Sequence, residues 1–115
     1  MIRNTDSFEY IECPRGGTGA MERHCVQPEA EMYNANSIYA KIVLKPHSSV
    51  GLHRHDGEAE SYYILTDSGY FAEDNQAPVP VKPGDICVIE AGHSHAISNP
   101  NDEEMTFMAL VYPVR

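Results

Sequence analysis

Hydrophobic and polar residues alternate in short runs along much of the chain. In SIYAKIVL (residues 37–44), every second residue is apolar and falls on one face of an extended strand: Ile38, Ala40, Ile42 and Leu44. Similar runs follow in ESYYIL, VPVK, DICVIE, HAISN and MTFMALVYPV, and breakers such as KPGD, EAG and NPND separate them. Many short strands with Gly and Pro between them predict an all-β sandwich or barrel.

The N-terminal third of the chain gives a weaker pattern. The stretch GAMERHCVQPEAEMY (residues 19–33) is the part that most resembles a helix, but Pro28 interrupts it and its type stays ambiguous. A chain of 115 residues has the size of one domain that can bury its own core. We therefore expect a single domain over residues 1–115, with N-terminal strands within residues 1–36.

The last predicted strand, MTFMALVYPV, is apolar on both faces. Met108 and Leu110 lie on one face, and Phe107, Ala109 and Val111 lie on the other. An antiparallel strand with one solvated face would alternate between apolar and polar residues, so this strand is expected to be covered on both sides. We predict a homodimer that uses its outer face, and we take Val111 as a candidate residue of that face.

The composition narrows the classes of partner. The chain has 17 Asp and Glu against 8 Lys and Arg, a formal net charge of −9, and no basic stripe, which disfavours binding to nucleic acid. No apolar run approaches the ~18 residues of a membrane span, and the N-terminus lacks the apolar segment of a signal peptide. A cytoplasmic protein without membrane contact is expected. The three cysteines form no Cys-x-x-Cys unit, which disfavours a thiolate zinc site.

Two histidines and a carboxylate are the first candidate site. His53 and His55 share one strand face because strand side chains alternate with a period of two. Glu60 begins the returning strand after the turn DGEA, so a hairpin can bring the three side chains together. Glu58 is an alternative carboxylate, although we place it within the turn. The pair of histidines alone is equally consistent with two partly exposed side chains that bind nothing.

A second His-x-His unit follows in AGHSHAISN. His93 and His95 have the same parity on their strand, so the pattern alone does not choose between them. With either one, the candidate site would offer three imidazole nitrogens and one carboxylate oxygen. Such a set suits a divalent first-row metal and leaves one or two positions for water or substrate.

These two segments resemble the two motifs of the cupin family. GLHRHDGEAE followed by SYYIL is similar to the first motif, although Gly51 stands closer to the histidines than usual. GDICVIEAGHSHAISN is similar to the second motif, and Gly92, His95 and Asn99 match it in register. Glu90 replaces the usual Pro of the second motif, and Asp67 replaces the closing Gly of the first. These departures affect turns and leave the ligand types intact.

The resemblance covers about residues 40–112 and implies a double-stranded β-helix, which is a small jelly-roll barrel with a metal in its mouth. It also implies a small single-domain cupin similar to one half of an oxalate decarboxylase, and such proteins are often dimeric. Residue by residue, the family's metal ligands fall on His53, His55, Glu60 and His95. Tyr62 shares parity with Glu60 and is expected to line the same interior.

The resemblance implies one divalent metal, which can be Mn, Fe, Ni, Zn or Cu. We expect a cupin that binds or acts on a small oxygenated anion such as a carboxylate, a hydroxy acid or a dicarbonyl. As an enzyme it would be a decarboxylase, dioxygenase, isomerase or lyase. The alternatives are a non-catalytic module that binds metal or a small molecule, and a cupin of the sugar-isomerase type. No residue stands out from the sequence as the general acid or base.

Overall fold

The computed structural model describes residues 1–114, and they form an all-β fold, as predicted. Two short 3-10 turns, Pro14–Gly16 and Glu29–Met32, are the helical elements of this described part. The strands, in chain order, are β1 (Glu9–Glu12), β2 (Ala20–Gln27), β3 (Ile38–Leu44), β4 (Ser48–Arg54), β5 (Glu58–Thr66), β6 (Gly69–Glu73), β7 (Val79–Val81), β8 (Ile86–Ile89), β9 (Ser94–Asn99) and β10 (Met105–Pro113).

The strands form two antiparallel sheets. The larger sheet has the order β1-β2-β3-β10-β5-β8, and the smaller one has the order β4-β9-β6-β7. The ambiguous stretch at residues 19–33 is now explained, because its first half is strand β2 and its second half contains the 3-10 turn Glu29–Met32. Pro28 separates the two, as its missing N–H and fixed φ favour.

The core lies between the sheets and follows the period-two pattern. Ala40, Ile42 and Leu44 of β3 are buried as expected, whereas Ile38 at the strand's start is 45% exposed. The three buried residues of β3 join side chains of both sheets in one apolar cluster, which includes Phe71, Ile97, Met105 and Phe107. Burial of this apolar surface is the main source of the fold's stability.

The two faces of β10 differ in their environment, and this corrects one expectation. Phe107, Ala109 and Val111 are buried, so Val111 faces the interior and is wrong as a residue of the outer face. The outward side chains are those of the opposite parity, and Leu110 among them is 38% exposed. Both sets are apolar, so their alternation carried no information on which one faces inward.

Asn99 fixes the end of β9. Its side chain is buried, and Nδ2 donates hydrogen bonds to the carbonyl oxygens of Leu44 (3.0 Å), Lys45 (3.1 Å) and Glu103 (2.8 Å). Its Oδ1 accepts from the backbone N–H of Asn101 at 3.0 Å. One buried amide thereby satisfies the backbone of the turn into β10 and holds β9, the strand that carries His95.

No helix within residues 1–114 has the length and apolar character needed to cross a membrane.

Candidate metal centre

Four side chains from both sheets converge at one end of the barrel. His53, His55 and His95 belong to the smaller sheet or follow it, and Glu60 comes from β5 of the larger sheet. One potential ligand atom from each lies within 4.8 Å of the other three. These are the four residues on which the family resemblance placed the metal ligands, and together they could hold a metal ion.

Strand pairing explains why the histidines meet. β4 and β9 are antiparallel, and His53 lies directly opposite His95. The register shifts between Val50 and His53, as in a β-bulge, which changes the direction of the side chains that follow. His55 lies just past the end of β4, where its backbone N–H still donates to His93 O at 3.0 Å.

His95 lies at the centre of the cluster. Its Nε2 is 2.9 Å from His55 Nε2, 3.2 Å from His53 Nε2 and 2.9 Å from Glu60 Oε1. Glu60 Oε1 is also 3.0 Å from His55 Nε2. Three imidazole nitrogens and one carboxylate oxygen thus share a space that one small ion would fill.

The hydrogen bonds on the far side of two rings show which nitrogens carry protons. His53 Nδ1 donates to the carbonyl oxygen of Gly51 at 2.7 Å, and His55 Nδ1 donates to Glu58 Oε1 at 2.9 Å. A neutral imidazole has only one N–H, so Nε2 of both rings presents a lone pair to the cluster. Together with the Glu60 carboxylate, these atoms are acceptors that face one another. These lone pairs repel one another when nothing lies between them, and a cation bound among them would remove that repulsion.

Aromatic packing orients the ring of His95 on the side that faces away from the cluster. Its Nδ1 is buried and has no hydrogen-bond partner among residues 1–114. The ring instead stacks on Tyr62, with centroids 5.1 Å apart and planes at 24°, and it meets Phe71 edge-on at 5.7 Å. The aromatic core therefore holds the imidazole with its Nε2 toward the other three groups.

Burial also adjusts protonation at the site. It lowers the pKa of His53 below its ordinary value, despite the hydrogen bond to Gly51, and the charge of Arg15 acts in the same direction. A lowered pKa keeps this imidazole neutral near pH 7, the form that binds metals. Burial, reinforced by the nearby Glu60 carboxylate, raises the pKa of Tyr62 well above its ordinary value, so its hydroxyl stays protonated.

The alternative carboxylate, Glu58, has a different position from Glu60. It is the first residue of β5, so its expected placement within the turn is wrong. Its Oε1 accepts from His55 Nδ1, the nitrogen that faces away from the cluster, and its side chain is 40% exposed. Glu58 therefore orients a histidine and does not join the four converging groups.

The alternative histidine, His93, lies outside the cluster. It precedes β9, its side chain is 50% exposed, and its Nδ1 donates to Asp74 Oδ2 at 2.8 Å. This hydrogen bond to a carboxylate raises the pKa of His93. An exposed imidazole with a partner of its own is a surface ion pair and not part of the converging set.

A cavity adjoins the cluster. It has a volume of about 100 Å³, whereas one water needs roughly 10–15 Å³. His53, His55, Glu58, Glu60 and Tyr62 line its polar side, and apolar residues of β3 and β10 line the opposite wall. Tyr62 therefore lines the interior, as its parity predicted. The cavity has room for a small organic ligand next to His53, His55 and Glu60, three of the four converging residues.

Two arginines that the sequence did not single out, Arg15 and Arg23, also line this cavity. Arg23 lies on β2, and Arg15 lies in the 3-10 turn that follows β1. The run CPRGG signals a turn, but no local pattern connects that turn to histidines that lie some forty residues later.

Comparisons with known proteins agree with this architecture. Residues 40–111 match the family model of the cupin domain. An oxalate-binding protein of Thermotoga maritima is 44% identical over 104 residues, which span 90% of this chain and 84% of that protein. The crystal structure of a predicted oxalate decarboxylase from T. maritima superposes with a TM-score of 0.93 and 37% identity, over 99% of this chain and 100% of that one.

More distant structures share the fold alone. The cupin domain of Schizosaccharomyces pombe Cnp3 has a TM-score of 0.74 at 10% identity, over 94% of this chain and 70% of that one. The family match covers well over half of the sequence, and the curated relative is 44% identical along most of its length. The chain belongs to the cupin family.

Proposed function

We propose that this cupin binds a divalent transition-metal ion through His53, His55, Glu60 and His95, and with it a small carboxylate of the oxalate class. The observation that carries the metal is that the Nε2 lone pairs of His53 and His55 converge with the Glu60 carboxylate and the Nε2 atom of His95, all within 4.8 Å of one another. The relative that is named for oxalate binding supports the class of ligand.

The residues around the ligands have definable tasks in this proposal. The carbonyl of Gly51 and the carboxylate of Glu58 each hold an Nδ1 proton, so that His53 and His55 present Nε2. A bound divalent ion would supply a Lewis acid for carboxylate oxygens. The apolar wall from β3 and β10 excludes water and limits the size of the ligand. The ligand set suits Mn, Fe, Ni, Zn or Cu.

Decarboxylation of the same ligand is a second candidate function. A solved relative at 37% identity is described as a predicted oxalate decarboxylase, which favours this chemistry. A decarboxylase must deliver a proton to the carbon that loses CO₂. Glu58 lines the cavity and is partly exposed, so it is our candidate for the carboxyl group that delivers this proton.

We expect oxalate to bind the metal-loaded protein with one equivalent per chain and to raise its thermal stability. At one hundred times its Kd, a ligand specific for the folded state stabilises it by about 2.7 kcal/mol. Isothermal calorimetry and thermal melts of loaded and chelator-treated protein test this expectation. Equal binding without metal, or no binding at all, would overturn the proposal. Release of CO₂ and formate from the loaded protein would favour the decarboxylase over the binding protein.

We also propose that a second copy of the chain covers the outer face of the larger sheet. Apolar side chains with exposed fractions of 37% to 62% lie there on adjacent strands, and such patches are typical of interfaces. Register places Leu110 opposite Tyr39, and Tyr63 opposite Ile86, so the exposed residues are neighbours.

Leu110→Glu is expected to convert this dimer into a monomer, because it would place unpaired carboxylates within an apolar contact. Light scattering measures the mass of the wild type and the variant. Val79→Glu is the matched control, since Val79 is 58% exposed but lies on β7 of the other sheet. A wild-type protein with the mass of one chain, or an unchanged mass for Leu110→Glu, would contradict the interface.

A further inference from the structure

Arg15 has a position that the metal cluster does not explain. It lines the same cavity as His53 and Glu60, yet it comes from the turn between β1 and β2. Its guanidinium forms no ion pair or hydrogen bond with the other residues of the described part, 1–114. Arg23, the other arginine of the cavity, already pairs with Glu9 at 2.8 Å. Within residues 1–114, Arg15 is thus an exposed cation at the rim of the cavity without an anionic partner.

The backbone that carries Arg15 is held tightly against β4. Arg15 has a left-handed φ of 52°, and a Cβ added to Gly51 would lie 2.3 Å from the carbonyl oxygen of Arg15. A Cβ on Gly17 would lie 2.1 Å from Ser49 O, and Ser49 N donates to Thr18 O at 2.9 Å. Two glycines therefore allow main chain to pack directly on main chain, which fixes the point from which the guanidinium reaches the cavity.

The same contact links Arg15 to the cluster. Gly51, which packs on the Arg15 carbonyl, is also the residue whose carbonyl accepts the Nδ1 proton of His53. One short segment of β4 thus orients the ring of His53, a proposed metal ligand, and also positions the backbone of the turn that carries Arg15. The two are held in a fixed relation to each other, as a binding site for one ligand requires.

The charges at the cavity define the anion that would fit. Glu58 and Glu60 balance a divalent ion, and Glu9 balances Arg23, so the charge of Arg15 is left over. Four protein ligands leave one or two metal positions open, fewer than the four oxygens of oxalate. The remaining oxygens carry charge that a guanidinium fork matches in geometry. A monocarboxylate bound to the metal keeps at most one free oxygen, which is one too few for both arms of the guanidinium fork.

We propose that Arg15 is a specificity-determining residue, which pairs with the oxygens that a metal-bound dicarboxylate leaves free and so favours small dicarboxylates over monocarboxylates. This inference rests on the proposed function. It adds a residue from the N-terminal turn to a site whose four candidate metal ligands all follow residue 50.

The test compares Arg15→Gln and Arg15→Lys with the wild type, and it uses Lys82→Gln as a control. Lys82 is 78% exposed, does not line the cavity, and its loss changes the net charge equally. Each variant is loaded with Mn²⁺, its metal content is measured, and oxalate and acetate are titrated by calorimetry. We expect Arg15→Gln to lower the affinity for oxalate by about 10- to 30-fold, as for the loss of a charge-assisted hydrogen-bonded pair. Acetate affinity and metal content should change less than about twofold on the same scale.

The outcomes separate this inference from the proposed function. Oxalate that binds the wild type and Arg15→Gln equally would overturn the role of Arg15 and leave the metal site standing. Equal weakening of oxalate and acetate, or the same loss in Lys82→Gln, would show a general effect of charge and would also overturn the selectivity. A wild type that binds no oxalate would overturn both. If Arg15→Lys binds oxalate more weakly than the wild type but more tightly than Arg15→Gln, this supports the bidentate contact, because lysine keeps the charge but lacks the planar pair of donors.

Discussion

His95→Ala is expected to abolish metal binding, whereas His93→Ala leaves it unchanged. The Nε2 atom of His95 lies within 3.2 Å of the other three groups, so its removal opens the centre of the cluster. Loss of one member of such a buried polar set costs about 3 kcal/mol or more, which is at least a 100-fold loss of affinity. His93 is half exposed, is hydrogen-bonded to Asp74 and lies outside the four converging groups, so we do not expect it to contact the ion.

Metal content after loading and desalting, measured by elemental mass spectrometry, tests this pair of variants. The His95 ring is buried between Tyr62 and Phe71, and its removal leaves a cavity that costs roughly 2–4 kcal/mol of folding stability. A thermal melt without metal therefore accompanies each sample, and His53→Ala, which removes a less buried candidate ligand, provides a second variant. Metal retained by His95→Ala and lost by His93→Ala would reverse the assignment.

The different positions of His93 and His95 show what the alternation of residues along the sequence can and cannot predict. His93 and His95 have equal parity, but parity describes only residues within one strand. β9 begins at Ser94, and His93 lies in the turn before it, where its N–H bonds to Glu90 O at 3.2 Å. The start of a strand depends on hydrogen bonds to its neighbours, which the alternation of residue types does not contain.

Other parts of the fold were predictable for a physical reason. Burial of Ala40, Ile42 and Leu44 follows from a period of two, although Val43 on the opposite face is buried as well, and Tyr62 and Tyr63 alternate between buried and exposed in the same way. For β10 the same rule failed at Val111, because residues of both parities are apolar and the inner face is chosen by the partner sheet. The position of Arg15 depends on main-chain contact between Gly17 and β4, a long-range packing that no local pattern encodes.

Glu60→Gln and Glu58→Gln are expected to differ in their effect on the metal. The two carboxylates share parity on β5, yet one faces Nε2 of His55 and the other faces Nδ1 of the same ring. Gln has nearly the shape of Glu, so the first variant removes the only anionic member of the converging set without opening a cavity. We expect its metal affinity to fall by at least about 100-fold, as for the loss of a buried charged partner.

Glu58→Gln acts on the metal only through His55, so it should lower the metal affinity less than Glu60→Gln does. A glutamine amide oxygen can still accept the Nδ1 proton, but it lacks the charge that makes the imidazole a stronger ligand, so a loss of about 10-fold is expected. Competition with a chelator of known affinity measures both variants on one scale. An equal loss for both, or a larger one for Glu58→Gln, would mean that the inner and outer roles of the two carboxylates are reversed. The predicted order requires Glu60 to contact the ion and Glu58 to contact the ring that holds it.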